Sequence, residues 1–134
     1  MTVAKVNNYK GGTDMSIELK TKYGQIDISN DVIATVAGGA AIDCYGIVGM
    51  ASRKQIKDGI TELLRKENFA RGIVVRQENG EVHIDMYIIV SYGTKISEVA
   101  HNVQSKVKYT LDQTVGLAVS SVNIYVQGVR VTNP

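Results

Sequence analysis

The chain has 134 residues, a formal net charge of +2, and 44% hydrophobic and 21% charged residues. That length suits one domain whose core needs neither disulfide nor metal. The charge is too small to drive binding to nucleic acid or anionic lipid. Cys44, the only cysteine, excludes an intramolecular disulfide and suits a reducing compartment. No basic segment runs into an apolar core at the N-terminus, so the chain reads as cytoplasmic.

Residues 1–14 carry little apolar pattern and are expected to be a disordered leader or a mis-assigned start, with residues 15–134 as a single domain. Lys10-Gly11-Gly12 is what AAA-GGA-GGT encodes, a strong ribosome-binding sequence, and Met15 follows at a suitable spacing. A short strand is expected at Gly24–Ser29, with Ile26 and Ile28 on one face. Ser29 can cap a helix running to about Cys44, with Asp31 favoured in its first turn by the helix dipole. Gly38 and Gly39 each cost such a helix about 1 kcal/mol relative to alanine, so they call for close approach of another backbone. Residues 32–51 carry one charge, Asp43. A charge there costs a spanning helix roughly 2.5–3.5 kcal/mol, and the glycines split the run. A buried helix followed by a short strand at residues 47–51 is expected instead of a membrane span.

Ile56, Ile60, Leu63 and Leu64 give residues 53–66 helical spacing. Asn79-Gly80 between two alternating runs is a strong hairpin signal. A two-residue turn there pairs Val75 with Ile84, Ile73 with Met86, Arg76 with His83 and Val74 with Asp85. The following strand covers residues 82–92. Thr94 is the expected N-cap of the next helix, whose stripe is Ile96, Val99, Ala100, Val103, Val107 and Leu111. A last strand spans residues 122–128, and the apolar phase breaks at Gly128, where a bulge or strand end is expected. The order predicts an α+β two-layer sandwich. Its four-stranded, mainly antiparallel sheet is ferredoxin-like or a variant of that fold, with helices on one face plus an extra N-terminal helix.

Candidate chemistry is sparse. Cys44 with His83 or His101 is the only thiol–imidazole combination, and Cys44 sits in an apolar run that suits a core residue. His83 and Asp85 share a strand face, but no third ligand joins them, so no metal or other cofactor is expected. Gly46-Ile47-Val48-Gly49 matches the bare GXXG pattern of KH domains, followed by Arg53, Lys54 and Lys57, yet Ile47 and Val48 look buried. The sheet face away from the helices should carry Arg76, His83, Asp85, Tyr87 and Ile89, with Asn123, Tyr125 and Gln127 from the last strand. Tyrosines among hydrogen-bonding groups suit a protein interface.

Several blocks closely resemble the alkaline shock protein family of Gram-positive bacteria. They include Asp31-Val32-Ile33-Ala34, Gly46-Ile47-Val48-Gly49-Met50 and Ile84-Asp85-Met86-Tyr87-Ile88-Ile89-Val90. Glu98-Val99-Ala100-His101-Asn102-Val103-Gln104 and Val122-Asn123-Ile124-Tyr125-Val126-Gln127-Gly128 complete the set. The resemblance spans residues 17–131. It implies a cytoplasmic, non-enzymatic protein tied to envelope stress that self-associates. It also implies contact with a membrane-anchored protein or with a neighbouring kinase acting on fatty acids. The family has no agreed catalytic residues to transfer.

The expected function is therefore that of a scaffold or adaptor, without cofactor or small-molecule ligand. Its interface is expected at Arg76, His83, Tyr87, Asn123, Tyr125 and Gln127. The helix face with Glu98, His101, Asn102 and Gln104 is the second choice. A nucleic-acid module using Arg53, Lys54 and Lys57, within the basic stretch 53–76, is the alternative. If Met15 is the natural start, ribosome profiling will place initiation there; initiation mainly at Met1 would remove the leader reading.

Overall fold

A computed structural model of the chain describes residues 4–8, 15–52 and 66–131. In chain order these form β1 (Ala4–Asn8), β2 (Met15–Thr21), β3 (Gly24–Ser29), α1 (Asn30–Ile42) and β4 (Ile47–Met50). A 3-10 segment (Lys66–Gly72) then leads into β5 (Ile73–Glu78), β6 (Glu81–Ser91) and α2 (Ile96–Thr110). A π turn (Leu111–Val115) ends α2, and β7 (Ser121–Arg130) follows.

Two sheets form. β1, β2 and β3 make an antiparallel meander, with Ile17 opposite Ile28 and Leu19 opposite Ile26. The main sheet is built on β6. β5 pairs antiparallel with its first half, β4 antiparallel with Ile88–Val90, and β7 parallel along His83–Ser91. A strand has two edges, and β5 and β7 both pair with residues 83–86. β4 and β5 must therefore lie end to end on the same edge. The Ala51 amide donates to Tyr87 O at 2.9 Å, continuing the β4 ladder towards β5. A Cβ on Gly72 would come within 2.7 Å of Ala51 O, so the chain leaving after β4 and the chain returning before β5 touch backbone to backbone.

Local chemistry accounts for most of these elements. Asn79 and Gly80 have φ of 53° and 79°, the left-handed pair that a two-residue turn demands, and the hairpin register is the one expected from sequence. Ser29 Oγ accepts the Val32 amide at 3.3 Å and caps α1. Thr94 does not cap α2: its hydroxyl donates to Ser91 O at 2.7 Å, while Lys95 takes the N-cap position without a side-chain bond. Spacing alone could not show that the preceding turn would claim the hydroxyl. In β7 the ladder passes from Val126 opposite Ile88 to Gly128 opposite Ile89, so Gln127 is the additional residue of a bulge at the expected break.

The core lies between the main sheet and the two helices. Ile33, Ala37 and Ala41 of α1 and Val99, Val103 and Val107 of α2 meet Val75, Ile84, Met86 and Ile88 of the sheet. Ile17 and Leu19 of β2 join from the meander. The close approach expected at the glycine pair comes from side chains and not from another backbone: a Cβ on Gly38 would lie 3.3 Å from Phe69 Cβ and Ile73 Cδ1, and Gly39 faces open space. No helix among the described residues is long and apolar enough to cross a membrane.

The observed architecture is α+β, and it departs from expectation in three ways. The sheet is mixed, because β6 and β7 are parallel direct neighbours. A split βαβ arrangement would insert another strand between them, so the ferredoxin-like order is not present. No helix beyond α1 and α2 stands apart as an extra N-terminal element among the described residues; α1 packs on α2 over the same sheet face. Ala4–Asn8 forms β1 on β2, and β2 itself was not anticipated. The helix expected at residues 53–66 falls mostly outside the described residues, and Lys66 opens the 3-10 segment. Gly39→Ala should raise stability by about 0.5–1 kcal/mol through helix propensity. Gly38→Leu should lower the melting temperature by crowding Phe69 and Ile73, and chemical denaturation of both variants checks the contrast.

Candidate functional site on the open sheet face

The face of the main sheet away from α1 and α2 is organised in rows set by register. Arg76, His83 and Ser121 form one row across β5, β6 and β7; Val74, Asp85 and Asn123 form the next; Tyr87 and Tyr125 follow. The parallel pairing of β7 brings Asn123 and Tyr125 beside Asp85 and Tyr87. An antiparallel partner would have aligned them differently.

Asp85 is the centre. It is 7% exposed and takes a two-pronged bond from Arg76, with Nε to Oδ2 at 2.6 Å and Nη2 to Oδ1 at 3.1 Å. The Asn123 amide donates to Oδ1 at 2.9 Å from the opposite side. Arg76 Nη1 also bonds Glu78 Oε1. Burial acts to raise the Asp85 carboxyl, but the Arg76 hydrogen bond, the Asn123 amide and the Arg76 charge outweigh it. The group is held below the ordinary carboxylate range. Arg76 is shifted upward in turn, first by its hydrogen bond to Asp85. His83 Nδ1 lies 2.6 Å from Ser121 Oγ, and its Nε2 lies 3.8 Å from Glu81. Tyr87 and Tyr125 stack with centroids 5.0 Å apart and planes 18° from parallel. Tyr125 remains 42% exposed.

Chemically this is a braced surface. A carboxylate kept ionised by a guanidinium is a weak base, and the Arg76 fork is occupied on both prongs. Asp85 was placed on this face by alternation but left out of the expected interface; its role follows from a position between β5 and β7 that only the strand order reveals. Gln127, expected in the interface, is the bulged residue at the edge of the cluster.

The other expected sites are dispersed. Glu98, His101 and Asn102 are exposed on α2, with Glu98 4.0 Å from Lys95. Gln104 is turned to the sheet, its amide donating to Val122 O at 2.9 Å. Arg53, Lys54 and Lys57 lie outside the described residues. Gly46-Ile47-Val48-Gly49 runs into β4, with Gly49 buried, so it is no phosphate-gripping loop. Beside it, a hollow of about 490 Å³ is lined by Tyr45, Gly46, Ile47, Val48, Ser91 and Thr94. Burial pushes the Cys44 thiol up, Lys106 pulls it down and Asp43 adds to the rise. The thiol contacts Ala40 O at 3.6 Å, which favours the protonated form over a thiolate nucleophile. Among the described residues no group of three His, Cys, Asp or Glu side chains could hold a metal ion.

The Asp85 pairing makes a signed prediction. Its lowered folded-state value stabilises the fold above the unfolded value near 4 and is lost as pH falls through the folded value. Asp85→Asn should therefore be less stable than the native chain at pH 6 by about 1–3 kcal/mol. The gap should shrink as pH falls toward 3, as measured by urea denaturation at each pH.

Comparison with known proteins supplies the family. The chain is 83% identical over 120 residues to the uncharacterized protein YloU of Bacillus subtilis (strain 168), covering 90% of this chain and 100% of that protein. It is 49% identical over 117 residues to the uncharacterized protein Spy1614 of Streptococcus pyogenes serotype M6, covering 87% of this chain and 97% of that one. It is 31% identical over 110 residues to the uncharacterized protein YqhY of Bacillus subtilis, covering 82% and 80%. No solved structure matches. The model of the alkaline shock protein family, described as having a cell envelope-related function, matches residues 18–131, and the chain belongs to that family.

Proposed function

We propose that this protein is a cytoplasmic scaffold or adaptor in cell-envelope homeostasis, acting by protein contacts and not by catalysis. Its contact surface is the open sheet face of Arg76, His83, Tyr87, Asn123 and Tyr125, with Gln127 at the margin. The observation that carries the reading is the braced tyrosine pair. Tyr125 offers an amphipathic ring to solvent, stacked on Tyr87 and set beside the Arg76–Asp85–Asn123 bonds.

Such a surface suits a protein partner on physical grounds. Its aromatic area is already ordered, so little side-chain entropy is lost on docking, and tyrosine is among the residues enriched at interfaces. The buried charge is already paired, so covering it leaves no unmatched ion. Envelope relevance comes from the family. The partner classes that fit are a membrane-anchored protein, a neighbouring fatty-acid-type kinase, and a second copy of this chain.

Tyr125→Asp places a charge on this face, at the exposed member of the stacked pair, without touching the core. A nuclease-treated pull-down with the native chain should recover a protein partner that the variant loses by at least tenfold, while the two melting temperatures stay within a few degrees. Equal recovery by both chains would discard the face. Loss of every partner on nuclease treatment would shift the reading to nucleic acid.

A further inference from the structure

Two turns of the same pattern stand side by side at one end of the main sheet. In Cys44-Tyr45-Gly46-Ile47 the Ile47 amide donates to Cys44 O at 3.4 Å. In Ser91-Tyr92-Gly93-Thr94 the Thr94 amide donates to Ser91 O, also at 3.4 Å. Gly46 and Gly93 have φ of 89° and 93°, the positive value that the third residue of a type II turn requires. Each turn therefore carries a tyrosine at its second position. The Ser91 amide donates to Gly46 O at 2.8 Å and ties the two turns together. On its other side Ser91 pairs with Arg130, and the Tyr92 amide donates to Arg130 O at 2.8 Å. One residue beyond this row, Tyr45, Tyr92 and Val131 follow one another across the sheet end.

These three side chains are 82%, 73% and 75% exposed, and none belongs to the core. Both turns are nevertheless held in place. A Cβ on Gly46 would come within 2.6 Å of Val99 Cγ2, so the first turn lies tight against α2. The Thr94 hydroxyl donates to Ser91 O at 2.7 Å and closes the second. Cations stand just behind the tips. Lys95 follows the second turn with its side chain 72% exposed, and the exposed Arg130 precedes Val131. Glu98 reaches Lys95 only at 4.0 Å, and Arg130 has no ion pair among the described residues. Asp43 is exposed just before the first turn. The cations thus prevail by a narrow margin, and the apolar tips must supply the larger part of any attachment.

We propose that this end of the sheet docks directly on the surface of an anionic lipid bilayer. Tyr45, Tyr92 and Val131 enter the headgroup boundary, and Lys95 and Arg130 meet lipid phosphates. Tyrosine suits that boundary because its ring is apolar and its hydroxyl stays in reach of water and headgroups. Lysine and arginine beside such tips are drawn to the negative leaflet. A row of three protruding side chains offers little to a rigid protein surface, where a stable interface takes about 800 Å² from each partner. A bilayer is soft and closes around separate tips. The turns are already ordered, so seating them costs little conformational entropy. No helix among the described residues could cross the membrane, so the contact is peripheral. The inference goes beyond the protein-contact reading and uses a different surface. Tyr92 lies five residues past Tyr87, about 17 Å at the usual rise of a strand, which leaves the braced tyrosine face free for a protein partner.

The test is flotation of the full chain with protein-free vesicles of phosphatidylglycerol and phosphatidylethanolamine. The native chain should float with them, and at least threefold less with vesicles of phosphatidylcholine alone. Combining Tyr45→Ser with Tyr92→Ser should cut the bound fraction at least fivefold and leave the melting temperature unchanged, since both rings are exposed. The chain has no tryptophan, so Tyr45→Trp reports on the tip alone, and its emission should shift to the blue when vesicles are added. Absence of native binding at low salt would overturn the proposal. Equal binding by the double tyrosine variant would do the same, as would binding of Tyr45→Trp without a shift. If the native chain ignores vesicles while the double variant loses a protein from cell extract, lipid docking is overturned and the tips belong to a protein contact. Tyr125→Asp should bind vesicles as the native chain does. Failure of the open face in its pull-down is therefore a separate result from failure of the turn tips on lipid.

Discussion

Pairing of β6 along both edges is the constraint on which the rest of the molecule depends. One edge takes β4 and β5 end to end, and the other takes β7 in parallel. A parallel neighbour requires a crossover, and α2 supplies it; the crossover in turn places Val99, Val103 and Val107 over the sheet. α1 then has one large apolar surface left to cover, between α2 and β5. Alanine and glycine at positions 37 and 38 let it approach closely.

The same pairing builds the open face. Arg76, Asp85 and Asn123 come from three strands and meet only because β6 is central. Asp85 is the one strongly buried acid of this cluster, and its charge is compensated from both sides. A buried ion pair is weak ground for claiming stability against an apolar alternative. It does penalise slippage, because a one-residue shift of β5 or β7 would leave a buried carboxylate without partners. The network thus fixes register, and fixed register keeps Tyr125 stacked on Tyr87.

Much of the fold was legible locally. The Asn79-Gly80 hairpin, the Ser29 cap and the break at Gly128 depend on neighbours in sequence, and all stand where the pattern put them; the α2 stripe holds at Val99, Val103, Val107 and Leu111, whereas Ile96, expected in it, is 42% exposed. β2 went unread, although Ile17 and Leu19 alternate with Ser16, Glu18 and Lys20; the alternation lay beside a segment read as leader. The Thr94 cap failed because a nearby carbonyl competed for the hydroxyl. Strand order stayed open in the sequence for a different cause. A strand–helix–strand run is compatible with adjacent or split parallel strands, and nothing within either strand distinguishes them.

The sequence by itself determined the hairpin register, the family, and the type and apolar face of most elements from Gly24 onward among the described residues, because these depend on local dihedral preference, on side-chain periodicity and on whole-chain resemblance. Tertiary structure alone decided that β7 lies parallel beside β6, that Asp85 sits between Arg76 and Asn123, and that Tyr87 stacks on Tyr125. Those contacts join residues 9 to 38 positions apart. Their energy exists only once the strands are side by side, so no periodicity within one strand can encode them.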